Sequence, residues 1–222
     1  AASGEYVVHI DGDDYMYPNR IQAQIDFLIA NQDCAAVVHQ LEIVDKAGYE
    51  IGKKLPEIFT KRKYNINDIL ISHPIFGHSS LTFRRSSLTN FLTKDINKFI
   101  DFEIYLELSK DGMIGSINKS MGAYRLGIGI SSRENLYQLA IDAIERSATE
   151  YAPPEIIHKA LARQYFLFAK KSFVDKDFEL MNKLITESLS KSVIGLSQLV
   201  LFTFRNNSNF LYRLYRFYKK FI

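Results

Sequence analysis

Residues 4–21 of this 222-residue chain read GEYVVHIDGDDYMYPNRI. The apolar run at 6–10 predicts a short strand, and a nearly continuous run of this kind is typical of a strand buried on both faces in a parallel sheet. Three carboxylates follow it directly, at Asp11, Asp13 and Asp14. In open α/β sheets, ligands bind beyond the carboxyl ends of the strands, so this cluster stands where a binding site is expected.

The carboxylate cluster is suited to a divalent cation. Neighbouring carboxylates repel one another and lose solvation when partly buried, and a bound cation removes both penalties. Mg²⁺ and Mn²⁺ favour oxygen ligands and often use one or two protein carboxylates together with phosphate oxygens of a substrate. The alternative is that Asp13 or Asp14 caps the helix that follows, while the other side chains point to water. The spacing of glycine and glutamate disfavours an EF-hand calcium loop.

Strand-like and helix-like segments alternate within this stretch and after it, which indicates an α/β fold. A helix is predicted from Pro18 to Asn31, because apolar residues recur at helical spacing, at Ile21, Ile25, Leu28 and Ile29. The other predicted elements are, in order, a strand over 35–39, a turn over 45–48, a strand over 78–83, a short helix near Leu88, a helix from Asp101 to Gly112, a strand over 114–124 and a loop over 127–130.

Composition narrows the class of protein. Hydrophobic residues make up 47% and charged residues 24%, as in an ordinary globular domain. The net charge of +3 is too small for the chain as a whole to be a nucleic-acid binder. The single cysteine, Cys34, indicates a reducing compartment. No signal-peptide pattern and no run of about 18–20 apolar residues occurs, so we expect a cytoplasmic protein or one held peripherally at the inner face of the cell membrane.

Residues 4–21 resemble the segment around the Asp-Xaa-Asp motif of family 2 glycosyltransferases, which joins a Gly-Glu-Tyr lead-in, an apolar strand, Asp-Xaa-Asp-Asp and a downstream Pro-Asn-Arg-Ile. Further blocks follow in the family's order, at residues 24–33, 78–85, 100–106 and 123–125. The resemblance implies an α/β fold containing a partial GT-A domain, the Rossmann-like fold of nucleotide-diphospho-sugar transferases.

In that family, the nucleotide base and ribose are bound largely by strand–helix units that precede the motif. The resemblance therefore implies that the chain is N-terminally truncated, beginning just before the motif, and that by itself it would bind the donor weakly. Residues 1–132 would be the C-terminal part of the GT-A domain, and residues 133–222 a separate helical region.

The resemblance implies a role for each matched residue. Asp13 would be the metal ligand that holds the donor diphosphate, Asp11 would lie beside the metal and the donor ribose, and Asp14 would complete the donor-binding motif. Asp101 aligns with the family's catalytic base, although aspartate is also a favoured N-cap and a helix is predicted to begin there. Two positions depart from the family pattern: Ile100 stands where glutamate is common, and Gly127 where histidine is frequent.

The implied activity is that of an inverting glycosyltransferase dependent on Mn²⁺ or Mg²⁺. It would move a sugar from a nucleotide-sugar donor to a glycan or lipid-linked acceptor, in polysaccharide or cell-surface glycan synthesis. One alternative is a haloacid-dehalogenase-like phosphatase, which also places Asp-Xaa-Asp after its first strand, but Tyr15 stands where that class has threonine or valine. Another is a non-catalytic, membrane-associated fragment.

The histidines and paired arginines carry weaker signals. His73 and His78 have no third ligand at metal spacing, so both are interpreted as ordinary loop or strand residues. His9 lies inside the apolar strand and is predicted to be a core histidine, while His39 could reach the cleft. Either of the adjacent residues Arg84 and Arg85 could bind phosphate, and one of them is expected at the surface.

Residues 133–222 are predicted to be helical, over about 134–151, 154–173 and 178–190, with a final segment to the end. Residues 193–204 are apolar but too short to span a bilayer. No acidic residue follows Glu187, and residues 205–222 alternate aromatic and basic side chains at helical spacing. A basic aromatic helix suits an anionic membrane surface, and the alternative is a terminal helix packed on its neighbours with solvated charges.

Overall fold

The computed structural model describes residues 2–72, 76–88, 101–127, 136–147 and 152–218. The chain divides into two compact units, Ala1–Asn135 and Leu136–Ile222. The first contains a mixed β-sheet with helices, and the second is helical in its described part. The α/β class predicted from the sequence, a partial GT-A domain followed by a helical region, is confirmed.

The first unit is built on a single seven-stranded sheet in its described part. The strands are β1 Tyr6–Val8, β2 Tyr15–Met16, β3 Cys34–Val44, β4 Glu50–Leu55, β5 Lys63–Tyr64, β6 Thr82–Arg84 and β7 Met113–Arg125. The helices are α1 Arg20–Ala30, α2 Ile66–Ser72 and α3 Asp101–Asp111, with 3-10 helices at His78–Ser80 and Arg85–Leu88.

The long strands β3 and β7 form the centre of the sheet. They run parallel to each other, and every other described strand pair is antiparallel. The main path has the order β1-β6-β3-β7-β2, with β4 added to β3 and β5 to β7. The first eight residues of β3 are all buried, so the core of this unit lies along that strand.

Strand β1 differs from its prediction. It is half-buried rather than buried on both faces, and it lies at the end of the strand path, antiparallel to β6. Residues 78–83 also differ, because the strand begins only at Thr82. The Ser80 N–H and hydroxyl both donate to the Gly77 carbonyl, at 3.0 and 2.6 Å, and this turns residues 78–80 into a 3-10 helix.

Helix α1 faces the sheet with a different side from the one predicted. Its buried residues are Arg20, Gln24 and Leu28, whereas Ile21 and Ile29 are 43% and 55% exposed. The apolar spacing correctly predicted the helix but not which of its sides faces the sheet. Polar side chains face inward here because they satisfy backbone groups that the sheet leaves unpaired.

A buried hydrogen-bond network fixes α1 against the sheet. Arg20 donates from Nε to Gln24 Oε1 at 2.9 Å and from Nη2 to the His9 carbonyl at 2.9 Å. Gln24 donates from Nε2 to the Ser80 carbonyl at 2.8 Å, and its Oε1 accepts from the Thr82 hydroxyl at 2.8 Å. The network therefore joins the end of β1 to the start of β6.

Several boundaries agree with the sequence prediction. Asn31 is the C-cap of α1, and the turn after Asp45 leads from β3 into antiparallel β4, with Gly48 in the left-handed region at φ 92°. Helix α3 is described from Asp101 onward, in the region where a helix was predicted. Residues 128–130 of the predicted loop and Ile100 lie outside the described residues.

The second unit contains helices α4 Leu136–Ser147, α5 Pro154–Asp175, α6 Phe178–Lys191, α7 Leu196–Thr203 and α8 Ser208–Tyr218, with a 3-10 helix at Arg205–Asn207. The three predicted helices are confirmed to within a few residues. The final segment consists of two helices, not one. No helix in the described ranges combines the length and apolar character that a membrane span requires.

Replacing Gln24 by leucine is expected to lower the free energy of unfolding by about 1–3 kcal/mol, because buried groups of Arg20, Ser80 and Thr82 lose their partner while side-chain volume is kept. Chemical denaturation measures the difference. Gln22→Leu, on the exposed face of the same helix, should stay within about 0.5 kcal/mol of the wild type. Equal losses in the two variants would contradict the role assigned to the network.

Candidate functional site

The acidic loop, residues 9–14, connects β1 to β2 and is tied to the end of β7. The Arg125 backbone N–H donates to Asp14 Oδ1 at 2.8 Å, and Arg125 Nε donates to the Asp13 carbonyl at 3.0 Å. Arg125 belongs to the Tyr-Arg block recognised in the sequence. The loop therefore lies against the end of β7, which holds the Asp14 carboxylate and the Asp13 backbone.

Ser79 fixes the side chain of Asp11. The Asp11 backbone N–H donates to Ser79 Oγ at 2.9 Å, and the Ser79 hydroxyl donates to Asp11 Oδ2 at 3.0 Å. Ser79 is buried in the 3-10 helix that precedes β6. Because β6 runs antiparallel to β1, the start of β6 lies beside the end of β1, and this pairing brings Ser79 to Asp11.

Two histidines bridge the space between Asp11 and Asp101. The rings of His9 and His78 lie with their centroids 4.0 Å apart. His9 Nε2 is 3.7 Å from Asp11 Oδ1, and His78 Nε2 is 3.5 Å from Asp101 Oδ1. The Tyr105 ring packs edge-on against His78, at 5.8 Å between centroids. The four side chains form a continuous row that runs Asp11, His9, His78, Asp101.

The electrostatics of the row follow from burial and from the two carboxylates. Burial raises the pKa of Asp101, the charge of Asp11 raises it further, and the charge of His9 opposes this. The Asp101 side chain remains 63% exposed, so solvent limits the shift. Burial lowers the pKa of His78 to about 4, so His78 is neutral at pH 7 and its contact with Asp101 is not an ion pair.

In Asp14, one carboxylate oxygen is hydrogen-bonded and the other is buried without a partner among the described residues. Burial raises its pKa, the charges of Asp13 and Asp11 add to the effect, and the nearby Ser79 hydroxyl and the Arg125 N–H oppose it. The buried oxygen is Oδ2. A cation at this oxygen would offset both the hydration that Asp14 loses on burial and its repulsion by Asp11 and Asp13.

The acidic loop fits a cation that takes few protein ligands. The Asp13 carboxylate has no hydrogen-bond or ion-pair partner in the described part of the chain, so it is free to coordinate. No group of three or more His, Cys, Asp or Glu side chains that could enclose a metal occurs among the described residues. The donor set is therefore suited to an ion held by one or two carboxylates and completed by substrate oxygens and water.

The structure brings two histidines to the predicted acidic residues. Asp11, Asp13 and Asp14 lie in the acidic loop, and the row of side chains joins Asp11 to Asp101, while the roles that the resemblance implies for these residues stay predictions. His9 is half-buried rather than a core residue, and His78, which was expected in a loop or strand, lies in a 3-10 helix. Strand alternation could not have signalled this placement, because β1 ends at Val8 and neither His9 nor Asp11 lies in it.

The remaining candidates lie elsewhere. His39 is fully buried with Nδ1 2.6 Å from the Gln40 carbonyl, so it does not reach a cleft. Arg84 donates to the backbone carbonyls of Cys34 and Leu28, and Arg85 lies at the surface, as expected for one of the pair. His73 lies outside the described residues.

One departure from the family pattern has a structural basis. Gly127 adopts φ +86°, a backbone conformation that side chains other than glycine rarely adopt. The position where the family frequently has histidine is therefore a left-handed turn residue in this chain. The turn follows directly after β7, next to the arginine that holds the acidic loop.

Residues 1–91 match the family model for Glycosyl transferase family 2. This part of the chain is similar to family 2 glycosyltransferases. The glycosyltransferase match includes the acidic loop and residues 78 and 79, and it ends before Asp101. No match to the chain was found among curated proteins. The family match supports glycosyltransferase activity in general terms, with a nucleotide-sugar donor and an acceptor as the substrates.

The pKa of Asp101 is expected to fall in Asp11→Asn and to rise in His9→Gln. Asp11 contributes a negative charge that disfavours the ionised form of Asp101, whereas protonated His9 contributes a positive charge that favours it. A ¹³C NMR titration of the carboxyl groups, assigned with Asp101→Asn, measures both shifts. Asp26→Asn, on the exposed side of α1, serves as control. Shifts of the same sign in the two variants would contradict the arrangement.

Proposed function

We propose that the chain acts in an inverting, metal-dependent glycosyltransferase. It would transfer a sugar from a nucleotide-sugar donor to a hydroxyl group of a glycan or lipid-linked acceptor, in polysaccharide or cell-surface glycan synthesis. The observation that carries the proposal is the row of side chains from Asp11 to Asp101. It supports a division in which Asp11 would serve the donor and Asp101 would act as the base.

Asp101 is suited to act as the general base. It stands at the start of α3 with 63% of its side chain exposed, so an acceptor hydroxyl can reach it. A carboxylate whose pKa is raised is a stronger base than an ordinary aspartate. As Asp101 takes the hydroxyl proton, the acceptor oxygen forms a bond to the anomeric carbon and the bond to the diphosphate oxygen breaks.

His78 is proposed to position Asp101. Its ring is held between His9 and Tyr105, and Nε2 lies 3.5 Å from Asp101 Oδ1. Because His78 is neutral, it can orient the carboxylate without an ionic contact that would lower the pKa of Asp101. His9 separates the His78 ring from Asp11, so two rings stand between the two carboxylates.

The donor side is assigned to the acidic loop. Asp13, with its free carboxylate, and Asp11 would hold Mn²⁺ or Mg²⁺, and Asp14 would support them from its position against Arg125. When bound, a divalent cation stabilises the negative charge that develops on the leaving diphosphate. Ser79 keeps Asp11 oriented toward the same space, through the pair of hydrogen bonds that joins them.

We also propose that residues 205–222 bring the protein to a membrane surface, where a lipid-linked acceptor would be found. The described part of this segment, α8, packs with Tyr212 and Tyr215 against Phe173, at 5.5 and 5.8 Å between ring centroids. Phe210 and Leu214 are exposed on its other side. The segment thus combines an inward aromatic face with an outward apolar and basic one.

Replacing Asp13 and replacing Asp101 are expected to have different consequences. Asp13→Asn should weaken Mn²⁺-dependent binding of nucleotide sugars by about tenfold or more, since a metal ligand is lost. Asp101→Asn should leave that binding unchanged and lower transfer by about 10²–10⁴-fold, since only the base is lost. Calorimetry with UDP-, GDP- and dTDP-linked sugars, with Mn²⁺ or with EDTA, measures the first effect, and product formation measures the second.

Exposed carboxylates outside the proposed site, on α1 and at the end of α3, provide controls for both. Asp26→Asn and Asp111→Asn should match the wild type in binding and in transfer. Donor binding that is insensitive to both Mn²⁺ and Asp13 would contradict the metal assignment. Full transfer activity in Asp101→Asn would contradict the assignment of the base and would favour the non-catalytic alternative.

Replacing His78 is expected to lower the turnover number and not the affinity for the donor. His78→Phe keeps a ring between His9 and Tyr105 but removes the nitrogen 3.5 Å from Asp101, and we expect a loss of about tenfold in kcat because the carboxylate is then less well oriented. His78→Gln can place an amide nitrogen near the same position and should recover part of the loss. His158→Phe, at an exposed position on α5, is the control. A rise in donor KM without a change in kcat would contradict the positioning role.

A further inference from the structure

Helix α7 is turned with its apolar side toward solvent. Leu196, Leu199, Val200 and Phe204 recur at the spacing of one helix face and are 38–77% exposed, and they are called the outward stripe below. Scattered exposed leucines are normal on a protein surface, but a continuous row along one helix marks an interaction surface. The sequence showed only that residues 193–204 are too short to span a bilayer.

The orientation of α7 is enforced by a buried glutamine. Gln198 is fully buried, and its Nε2 donates to Ser188 Oγ at 2.8 Å and to the Ser192 carbonyl at 2.9 Å. Its Oε1 accepts from the Ile194 backbone N–H at 2.9 Å. Rotating α7 to bury the outward stripe would expose Leu201 and break all three hydrogen bonds. The outward stripe is therefore a fixed feature of this unit.

The charged residues next to the outward stripe in the sequence are all basic on its C-terminal side, and Lys191 precedes it. Residues 192–204 carry no charge, and they are flanked by Lys191 and Arg205. No acidic residue occurs after Glu187, whereas six basic residues do. A surface that combines exposed apolar side chains with unopposed positive charge is complementary to an anionic lipid bilayer, in which both find partners.

Helix α8 also exposes both apolar and basic side chains. Phe210 and Leu214 are exposed at a spacing of four residues, and Arg213 and Arg216 are exposed beside them. A second copy of this chain would bring two sets of like charges together, which disfavours self-association through this surface. Anionic lipid headgroups, in contrast, would neutralise them.

We propose that the outward stripe of α7, together with the exposed face of α8, binds the surface of an anionic lipid bilayer without crossing it. The aliphatic and aromatic side chains of α7 enter the boundary between headgroups and acyl chains, and the arginines of α8 contact the headgroup phosphates. This goes beyond the proposed membrane role of residues 205–222, because it assigns the apolar part of the contact to α7. It is independent of the transferase chemistry.

Co-sedimentation of the full 222-residue chain with vesicles tests the proposal. The chain should bind vesicles of phosphatidylcholine containing about a third phosphatidylglycerol, and bind pure phosphatidylcholine far less. The double variant Leu196→Gln/Val200→Gln should weaken binding by at least about tenfold, since two exposed aliphatic groups are lost from the contact. Arg213→Gln/Arg216→Gln should weaken it by about tenfold and reduce its dependence on salt.

A matched control removes the same kind of side chain elsewhere. Ile29 and Ile58 are exposed aliphatic residues of the first unit, and Ile29→Gln/Ile58→Gln should bind vesicles as the wild type does. Circular dichroism should show unchanged helix content in all variants. Calorimetric donor binding, measured on the same proteins, should not change, so a failure of the membrane proposal and a failure of the transferase proposal are distinguishable.

Three results would overturn the proposal. The chain could stay in the supernatant with anionic vesicles. The Leu196→Gln/Val200→Gln variant could bind as tightly as the wild type, which would leave α7 without a role in the contact. Sedimentation velocity without lipid could show a dimer that this variant dissociates, which would make a second copy the occupant of the outward stripe.

Discussion

The buried Arg20–Gln24 pair on α1 is the interaction on which the site depends. Hydrogen bonds from Arg20 Nε and Nη2 offset part of the hydration that its guanidinium loses, while Nη1 has no hydrogen-bond partner among the described residues. Burial lowers the pKa of Arg20 to about 10 and leaves it charged at neutral pH. Arg20 and Gln24 engage carbonyls at the end of β1 and just before β6. The acidic loop begins at the first of these points and the 3-10 helix ends at the second, so α1 sets the distance between them.

The site itself places two carboxylates near each other without an intervening cation from the protein. Asp11 is held by Ser79, Asp101 lies beside His78, and the stacked histidines lie between them. Neutral His78 stands between the carboxylates without adding charge, while the charge of Asp11 still raises the pKa of Asp101.

Buried polar groups determine orientation in both units. In α1, Arg20 and Gln24 turn isoleucines outward, and in α7, Gln198 turns a row of apolar residues outward. In each case the cost of leaving buried hydrogen-bonding groups unpaired exceeds the gain from burying a few more aliphatic side chains. Helix faces in this protein are therefore selected by hydrogen bonding as much as by hydrophobicity.

The sequence by itself determined the α/β class, the C-cap of α1 at Asn31 and the acidic loop, because these depend on local periodicity, capping and a contiguous motif. Only the tertiary structure decided that β1 is an antiparallel end strand and that His9 and His78 stand between Asp11 and Asp101. The physical reason is that strand pairing and side-chain burial are set by residues distant in sequence. His78 comes to His9 because β6 pairs with β1, and α7 faces outward because Gln198 finds its partners on α6 and in the turn after it.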